Sequence, residues 1–500
     1  MSSPIIPFPQ EFRPTLPTIV GNVDYLTLRQ RLEQIDSLLR AGGVERDFVE
    51  RSLAGWKPAS TRAGKARAAT ALEQGKFQQR SRRALRCTLL RTLLQEDYRG
   101  FSCQLAGNPL FQWFCQVDAL DQVRVPSKSE LQRFAHWLPV PELRAVIDGL
   151  LQGALHQPAQ LGLKEALDLE EYFLDSTGLK ANIHFPTDWV LLRDGVRTLM
   201  KATVLIRRAG LRARMEEPET FLRRMNHLSI AMTQQARRTE SKKGRKRVLR
   251  DMKKLVGTVR AHARRHRELL DQRWAETEWT RPQAEQILRR LDGVLELLPR
   301  AQEQAHERII GGRPVPNAEK ILSLYDLDLH VIVRGKAGAQ VEFGNTLLIG
   351  ENRQGVILDH ALFRESAPAD PQTLFPSLFR VWDMAGTQVG AVATDRGFAS
   401  AANHRTLADS DTLDGLCPRP PAELSRKMRD EKFARLQRRR AQTEGRIGIL
   451  KNGFLGRPLR AKGFAHRELA LAWGVLTHNL WKLAQLTKAK KKTLPLPQAA

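Results

Sequence analysis

A basic stretch late in the chain carries residue types that could bind a metal ion and a phosphate together. In residues 431–454 (EKFARLQRRRAQTEGRIGILKNGF), Arg440, Glu444 and Lys451 follow at i, i+4 and i+11. This spacing puts all three on one face of a helix. A carboxylate between two cations suits a site for a divalent metal and a phosphate. The alternative is a solvated basic helix with an ordinary i,i+4 ion pair.

A neighbouring face of the same helix is apolar and can pack on a core. Residues that recur there at helical spacing are Phe433, Leu436, Thr443, Ile447 and Leu450. We therefore predict an amphipathic helix that presents Glu444 beside its buried stripe.

Two acidic residues upstream follow apolar, β-prone runs. Asp175 lies at the end of such a run in EYFLDSTGLKANIHF (171–185). Asp395 follows the apolar run 389–393, and Gly397 allows the chain to turn sharply after it. Together with Glu444, these carboxylates can hold two divalent cations about 4 Å apart, which activate water or a 3′-hydroxyl for phosphoryl displacement. Hard oxygen ligands select Mg²⁺ or Mn²⁺ over zinc.

The first of these ligands has an alternative. An Asp-Ser-Thr sequence by itself more often starts a turn. Asp326 and Asp328, in SLYDLDLH, also lie just before a β-like run, and either could be the first ligand. We prefer Asp175 because it ends an apolar strand. If Asp175 is the ligand, the helical region 188–310 interrupts the catalytic fold between its first two strands; if Asp328 is, that region is an upstream domain.

The composition indicates a folded protein that binds a polyanion. The chain has 500 residues, 42% of them hydrophobic, with 81 Lys+Arg against 54 Asp+Glu and a formal net charge of +27. Such a balance is typical of nucleic-acid binding. An acidic membrane surface is the other candidate, but the sequence has no run of about 18 apolar residues and no amphipathic anchor.

The N-terminus and the cysteines indicate a location in the cytoplasm. MSSPIIPFPQEFRPTLP lacks the charged start and apolar run of a signal peptide. Cys87, Cys103, Cys115 and Cys417 show no CxxC pairing or zinc-ligand spacing. They are expected to be buried thiols in a reducing compartment.

The first part of the chain is predicted to be helical. A helix is expected near residues 25–41, followed by turn-rich sequence up to about residue 60. Ser127 and Glu130 form a capping-box pattern ahead of an apolar-periodic helix that carries Lys128 and Arg133. A helix, a turn and a capped helix in a basic region fit a helix-turn-helix DNA reader, and equally a small helical bundle.

Residues 188–310 are helical in pattern and strongly basic. Between residues 235 and 267 there are 14 Lys+Arg against Glu240 and Asp251. This excess favours a track for the DNA backbone, and a helical hairpin that is merely soluble is the alternative. The phosphate contacts would come from Lys242, Lys243, Arg245, Lys246 and Arg247.

Strand-like sequence returns after Gly311 and Gly312. Three β-like runs cover 329–335, 340–352 and 355–363, and a helix is predicted over 371–382. An apolar helix, expected in the core, covers 464–486.

Several blocks of this sequence resemble the bacterial insertion-sequence transposases of the DDE, RNase H-like type, and more narrowly the ISNCY group. The blocks are LDST (174–177), IHFPTD (183–188), RGKAGAQVEFGN (334–345), ATDRGF (393–398) and QTEGRIGILK (442–451). The resemblance runs from about residue 82 to 486. Related transposases carry Tyr-x2-Arg-x3-Glu-x6-Lys, which Arg440, Glu444 and Lys451 fit, whereas Gln437 stands at the tyrosine position.

The resemblance implies a function and a set of roles. The chain would bind terminal inverted repeats and cleave and join DNA strands with two Mg²⁺ or Mn²⁺ ions held by Asp175, Asp395 and Glu444. Arg440 and Lys451 would contact DNA phosphates, and Arg396 would do so too or form a surface ion pair. A homodimer is expected on the paired DNA ends, in the bacterial cytoplasm at the nucleoid. The alternatives are a non-catalytic DNA-binding protein derived from a transposase, or a structure-specific nuclease of RNase H-like fold.

The fold class expected from this resemblance is mixed α+β, with an RNase H-like core of a mixed central sheet flanked by helices. The predicted divisions are an N-terminal arm and helical region (1–80), a helical DNA-binding domain (81–165), the first part of the catalytic domain (166–187), a basic helical insertion (188–312), the remainder of the catalytic domain (313–486) and a basic tail (487–500).

Overall fold

A computed structural model describes residues 15–58, 68–118, 122–236, 242–336, 339–456 and 458–488, with the side chains of 334–340 left out. Within these residues the protein is a mixed α+β structure, mostly helical, with one mixed sheet of six strands. The expected α+β class is confirmed at this level. The predicted tail beyond residue 488 lies outside the described residues.

Seven helices precede the first strand in the part of the chain that the structure describes. Side chains of Asn22, Thr70, Asp97, Asn108 and Ser127 accept hydrogen bonds from the first turns of five of them. The helices are α1 (Val23–Ala41), α2 (Val44–Gly55), α3 (Ala71–Leu94), α4 (Tyr98–Gly107), α5 (Pro109–Cys115), α6 (Lys128–Ala135) and α7 (Val140–His156).

Helix α2 corrects one expectation, because residues 42–60 were read as turn-rich. The adjacent glycines Gly42 and Gly43 favour a turn, and Gly43 does turn the chain at a φ of 70°. The sequence after it, however, recurs at helical spacing in Val44, Phe48 and Val49, and these side chains are buried. Burial of one apolar stripe outweighs the turn propensity of the two glycines before it.

Strand β1 (Glu171–Lys180) follows, and it is longer than expected. Asp175 lies in its middle and not at its end. The Asp-Ser-Thr sequence does not start a turn here, because β1 pairs with a neighbouring strand from Tyr172 through Lys180. Ladder hydrogen bonds and burial of the flanking side chains override the local preference.

The basic region after β1 forms a separate helical unit with its own apolar core. Asp188 at its start accepts hydrogen bonds from Gln304 Nε2 at 2.9 Å and Arg308 Nη1 at 2.9 and 3.0 Å at its end. The entry and exit of this unit are therefore clasped side by side. Its helices are α8 (Asp188–Arg208), α9 (Pro218–Ala236), α10 (Lys242–Arg273) and α11 (Arg281–His306).

The remaining strands and helices follow the predicted order. All three β-like runs are strands, and the helices predicted over 371–382, 431–454 and 464–486 are present. The elements are β2 (His330–Lys336), β3 (Ala339–Asn352), β4 (Ile357–Leu362), α12 (Asp370–Ala385), β5 (Ala391–Thr394), α13 (Ala401–Ala408), β6 (Leu413–Leu416), α14 (Pro421–Lys427), α15 (Glu431–Leu450) and α16 (Phe464–Leu486).

The sheet has β1 near its centre. Strand β3 pairs antiparallel with β1 on one side and with both β2 and β4 on the other, β2 along its first part and β4 along its second. On the opposite side of β1, β5 runs parallel to it and β6 runs parallel to β5. The strand order through the second part of β3 is β4-β3-β1-β5-β6.

The two faces of the sheet are covered differently. Side chains alternate along β1, so Phe173 and Asp175 point to one face and Tyr172 and Ser176 to the other. Helix α15 covers the first face, where its Leu436 packs with Phe173. Helix α12 covers the second face, where Ser377 Oγ lies 2.7 Å from the hydroxyl of Tyr172.

Helix α16 joins the sheet to the N-terminal helices, as its apolar sequence predicted. A single apolar cluster runs from α1–α7 through α16 to β1, β3 and β4. Trp473 of α16 is buried there, and Asn479 binds both backbone groups of Ile357 in β4, at 3.0 and 2.8 Å. Because the amide of Asn479 replaces a missing strand, it satisfies part of the outer edge of β4.

All four cysteines are free thiols. Three are buried as expected, but Cys103 is exposed on α4, so the expectation was wrong for that residue. No helix among the described residues, α16 included, combines the length and the apolarity needed to cross a lipid bilayer.

Candidate active site

Asp175 lies on β1, and Asp395 directly follows β5, the parallel neighbour of β1. The last pair between the two strands is Phe173 opposite Ala393. Each aspartate lies two residues after that pair, so the two residues stand at a similar level along the sheet. The sequence separates them widely, and the parallel register brings them together.

The charges around Asp175 disfavour its ionised form. Burial, repulsion from Asp395 and, less strongly, repulsion from Glu444 together raise the pKa of this carboxyl to about 7. The backbone N–H of Ser176, which donates to Asp175 Oδ1 at 2.8 Å, and the guanidinium of Arg440 act in the opposite direction. Negative charge at this point therefore exceeds what the surrounding donors compensate.

Helix α15 lies along β1 and runs in the same direction. Arg435 pairs with Glu171 at 2.9 Å near the start, and Lys451, just after the helix, donates to the carbonyl oxygen of Gly178 at 2.6 Å. A rise of about 1.5 Å per helical residue carries the chain about 24 Å between these contacts. A rise of about 3.3 Å per strand residue covers about 23 Å from Glu171 to Gly178, so the helix and the strand advance by similar distances between the two contacts.

This alignment places Arg440 and Glu444 close enough to Asp175 to shift the pKa of its carboxyl. The five residues of the apolar stripe are buried, and Glu444 is exposed at the surface of the site. Arg440 is half-buried, and its Nε is buried without a hydrogen-bond partner among the described residues. A desolvated donor next to carboxylates is suited to binding an anionic oxygen that enters the site.

The opposite flank of α15 is fixed by a buried carboxylate on β3. Glu351 Oε1 lies 3.2 Å from both terminal nitrogens of Arg439, 3.0 Å from Thr443 Oγ1 and 3.8 Å from Arg446 Nε. Burial raises the pKa of Glu351, and the two arginines oppose that rise. These contacts pin the helix, and with it Glu444, against the sheet.

Gln437 replaces the tyrosine of the transposase signature and has a structural contact of its own. Its Nε2 donates to the carbonyl oxygen of Gly415 at 2.7 Å and to that of Thr394 at 3.3 Å. These carbonyls belong to the ends of β6 and β5. Gln437 therefore holds α15 over the end of β5, next to Asp395.

Asp370 belongs to the same group of carboxylates, and the sequence analysis missed it. It is the first residue of α12, is half-buried and lies near the side chain of Ser176. Burial raises the pKa of its carboxyl, and Asp395 adds to the rise. Because Asp-Pro is an ordinary helix start, only the packing of α12 on the sheet reveals this proximity.

The donor set fits a hard divalent cation in its chemistry. The carboxylate oxygens are the ligands that Mg²⁺ and Mn²⁺ prefer. They do not form a compact ligand set: no three His, Cys, Asp or Glu side chains among the described residues lie close enough together to hold one ion. Asp175, Asp395 and Glu444, with Asp370 beside them, are the residues that would hold it.

Asp328, the alternative first ligand, lies elsewhere. Its carboxylate is 3.9 Å from Arg364 Nε, and its carbonyl oxygen accepts a hydrogen bond from Asn345 Nδ2 at 2.7 Å. It precedes β2, which is separated from β1 by β3. Asp175, and not Asp328, is the residue that faces Asp395 and Glu444.

The other residues predicted to bind DNA are spread over three surfaces. Lys451 is held by β1, because its ammonium also donates to Thr177 Oγ1 at 2.5 Å. Arg396 is exposed beside Asp395, and the carbonyl oxygen of Arg396 accepts a hydrogen bond from Arg419 Nε at 3.4 Å. On α6, Lys128 and Arg133 are exposed.

The capping of α6 is only half of the predicted box. Ser127 Oγ accepts from the backbone N–H of Glu130 at 3.3 Å, whereas the carboxylate of Glu130 pairs with Arg80 Nη2 at 3.1 Å. Because Glu130 pairs with Arg80, its side chain does not complete the capping box.

The basic cluster of the insertion lies on the first turns of α10. Lys242, Lys243 and Arg247 are exposed, and Arg245 and Lys246 are half-buried. The buried residues of α10 follow a separate stripe that includes Leu249 and Val256. The cations therefore form a solvent-facing surface, next to residues 237–241, which lie outside the described residues.

Comparisons of this chain with protein-family models, with curated proteins and with solved structures give no significant match.

Proposed function

We propose that this protein is a DNA transposase of an insertion sequence. It would bind terminal inverted repeats, cleave DNA strands at the ends of the element and join the freed 3′-hydroxyl to target DNA with the help of Mg²⁺ or Mn²⁺. The observation that carries this proposal is that Asp395, Glu444 and Arg440, which come from distant segments, all lie close enough to Asp175 to shift the pKa of its carboxyl.

The strand order supports an RNase H-like catalytic core. Through the second part of β3 it reads β4-β3-β1-β5-β6, with β3 antiparallel to β1 and with β5 and β6 parallel to it. That is the arrangement expected of an RNase H-like sheet. In this interpretation β2 extends the long first hairpin, and helices α8–α11 are an insertion between the first two core strands.

The site would act mainly by positioning and electrostatics. When bound, two divalent cations would activate the attacking water or 3′-hydroxyl and stabilise the leaving oxygen. Rigid strands hold Asp175 and Asp395, and Arg439 and Gln437 hold the helix that carries Glu444. The unpaired Nε of Arg440 would donate to a phosphate oxygen next to the scissile bond.

The partner is double-stranded DNA. The net charge of +27 and the exposed cations on α6 and α10 support contacts with its backbone. A homodimer on two DNA ends, and a place at the bacterial nucleoid, belong to this proposal.

Substitution of the carboxylates tests the proposal directly. Asp395→Asn and Glu444→Gln should each abolish metal-dependent cleavage of DNA that carries the element ends, while binding to those ends persists. The matched control is Asp383→Asn, an exposed aspartate near the other end of α12, which should cleave like the wild type. Cleavage by either site variant at near the wild-type rate would exclude the catalytic assignment.

A second candidate is a non-catalytic DNA-binding protein that retains the same surfaces. The absence of a compact set of three ligands among the described residues favours it. Incubation of supercoiled plasmid with the wild-type chain and Mg²⁺ or Mn²⁺ distinguishes the two. Nicking that disappears in Asp395→Asn supports the transposase, and undamaged plasmid, with DNA binding retained, supports the second candidate.

A further inference from the structure

Asp370 reaches the candidate active site from the face of the sheet opposite to Glu444. Glu444 lies on α15, which covers the Phe173 face, whereas α12 covers the Tyr172 face. Ser176, which points to that second face, lies near Asp370. Asp370 and Glu444 thus flank the two strand carboxylates from opposite sides.

The turn after β5 leaves a space that Asp370 and Asp395 share. A Cβ built on Gly397 would lie 2.8 Å from Asp370 Oδ2 and 3.0 Å from Asp395 Oδ1, so both carboxylate oxygens border one point. The backbone N–H of Gly397 donates to Asp395 Oδ1 at 2.9 Å. A side chain at position 397 would fill this space, and glycine keeps it open.

Buried contacts fix Asp370 at this position. The Nδ2 of Asn403 donates to the carbonyl oxygen of Pro371 at 3.0 Å and to that of Phe398 at 2.9 Å. One side chain therefore ties the first turn of α12 to the turn that follows Asp395. Asn403 is itself buried, so the two segments are held together independently of the carboxylates.

We propose that Asp370 is a fourth carboxylate of the site and holds the divalent cation together with Asp395. This proposal rests on the proposed function, because it adds a ligand to that same site. A charge at the start of α12 also favours the helix dipole. That role needs no cation, so the two roles predict different behaviour in a binding measurement.

Binding of Mn²⁺ to the full chain without DNA, measured by electron paramagnetic resonance, distinguishes a ligand role of Asp370 from a helix-dipole role. Asp370→Asn keeps the size of the side chain but loses the charge, and it should weaken Mn²⁺ binding about 10-fold or more. Ser176→Ala changes a neighbour of Asp370 but keeps the carboxylate, and it should weaken Mn²⁺ binding less than Asp370→Asn does. Asp383→Asn, on the same helix, is the control for charge alone.

Gly397→Ala provides an independent check. The added methyl group would enter the space between Asp370 Oδ2 and Asp395 Oδ1. It should weaken Mn²⁺ binding without changing any charge, and circular dichroism should show the same helix content as the wild type.

The outcomes distinguish failure of this inference from failure of the proposed function. If Asp395→Asn weakens Mn²⁺ binding but Asp370→Asn binds like the wild type, Asp370 is not a ligand and the transposase proposal stands. If Ser176→Ala loses as much affinity as Asp370→Asn, Asp370 acts through Ser176 and the ligand role is wrong. If the wild type binds no Mn²⁺ and cleaves no DNA, both proposals fall.

Discussion

Two groups of acidic side chains in this protein, one almost fully buried and one partly exposed, differ in the opposite charge around them. Among the N-terminal helices, Asp36 and Glu45 are almost fully buried, and both bind Arg86, which has no exposed surface. Arg86 Nη1 lies 2.7 Å from Asp36 and Nη2 lies 2.5 Å from Glu45. Burial alone would lower the pKa of Arg86, but the two carboxylates raise it above its ordinary value.

The second group lies near the centre of the sheet, where burial and the proximity of Asp395 raise the pKa of Asp175 and of Asp370. Arg440 acts on Asp175 in the opposite direction. In the first group, Arg40 and Arg82 add further contacts at 2.6 and 3.4 Å. The first group matches buried charge with opposite charge, whereas in the proposed function a bound cation would match the charge of the second group.

Removal of Arg86 should have the largest effect on stability. Arg86→Ala leaves Asp36 and Glu45 buried without their shared cation, so the variant should lose about 3–5 kcal/mol. Urea denaturation followed by circular dichroism measures this loss. Arg124→Ala, at an exposed position, should change stability by about 0.5 kcal/mol or less. If Arg86→Ala lost no more stability than Arg124→Ala, the ion pairs of Arg86 with Asp36 and Glu45 would not stabilise the fold.

Glu351→Ala extends the comparison to the helix that carries Glu444. Arg439 and Arg446 would lose their buried partner, and stability should fall by about 2–4 kcal/mol. Cleavage of DNA should also fall at temperatures where the variant is folded, because α15 would no longer be pinned beside β1. Full cleavage activity together with the lower stability would separate the Glu351 contacts from the positioning of Glu444.

Asp175→Asn should act in the opposite direction, since it removes a charge that the fold does not compensate. At pH 8, without divalent cations, the variant should be more stable than the wild type by about 1–3 kcal/mol. Its DNA cleavage should nevertheless be lost. Thermal unfolding measures the gain, and Asp383→Asn serves as the matched control. A destabilised Asp175→Asn would mean that the carboxylate is satisfied in the folded protein.

The dependence of that gain on pH should be the smallest effect. The pKa of Asp175 is about 7 in the folded protein, against 3.8 for the ordinary side chain. Between these values the folded protein binds a proton that the unfolded chain releases, so wild-type stability falls as pH rises through this window. The advantage of Asp175→Asn should be small near pH 4, grow up to about pH 7 and stay constant above it. An advantage independent of pH would contradict the raised pKa.

Periodicity along the chain predicted much of this structure. The apolar stripe of α15 identified its buried face and, one face over, the positions of Arg440 and Glu444. The β-branched runs identified β2, β3 and β4, and the continuous apolar character of 464–486 identified a core helix. These are local patterns, and each element buries the face that its own sequence marks.

What the sequence could not predict depends on contacts between distant residues. Asp370 reads as a helix start, and its place beside Asp395 follows from the packing of α12 and from Asn403. Glu351 reads as an ordinary strand residue until Arg439 comes to lie against it. Asp175 was expected at a strand end because the ladder with β3, which carries β1 on to Lys180, was not visible in the local sequence.

The clasp between Asp188 and Arg308 bears on how the protein is made. Strand β1 leaves the ribosome about 10–30 s before β3 does, at about 5–20 residues per second. During that interval the apolar side chains of Tyr172, Phe173 and Leu174 have no sheet to join. Helices α8–α11 make their contacts with one another and can fold as they emerge. Closure of their two ends then brings the chain back close to β1. Strand β3 can therefore pair with β1 of the same molecule instead of with a strand of another molecule.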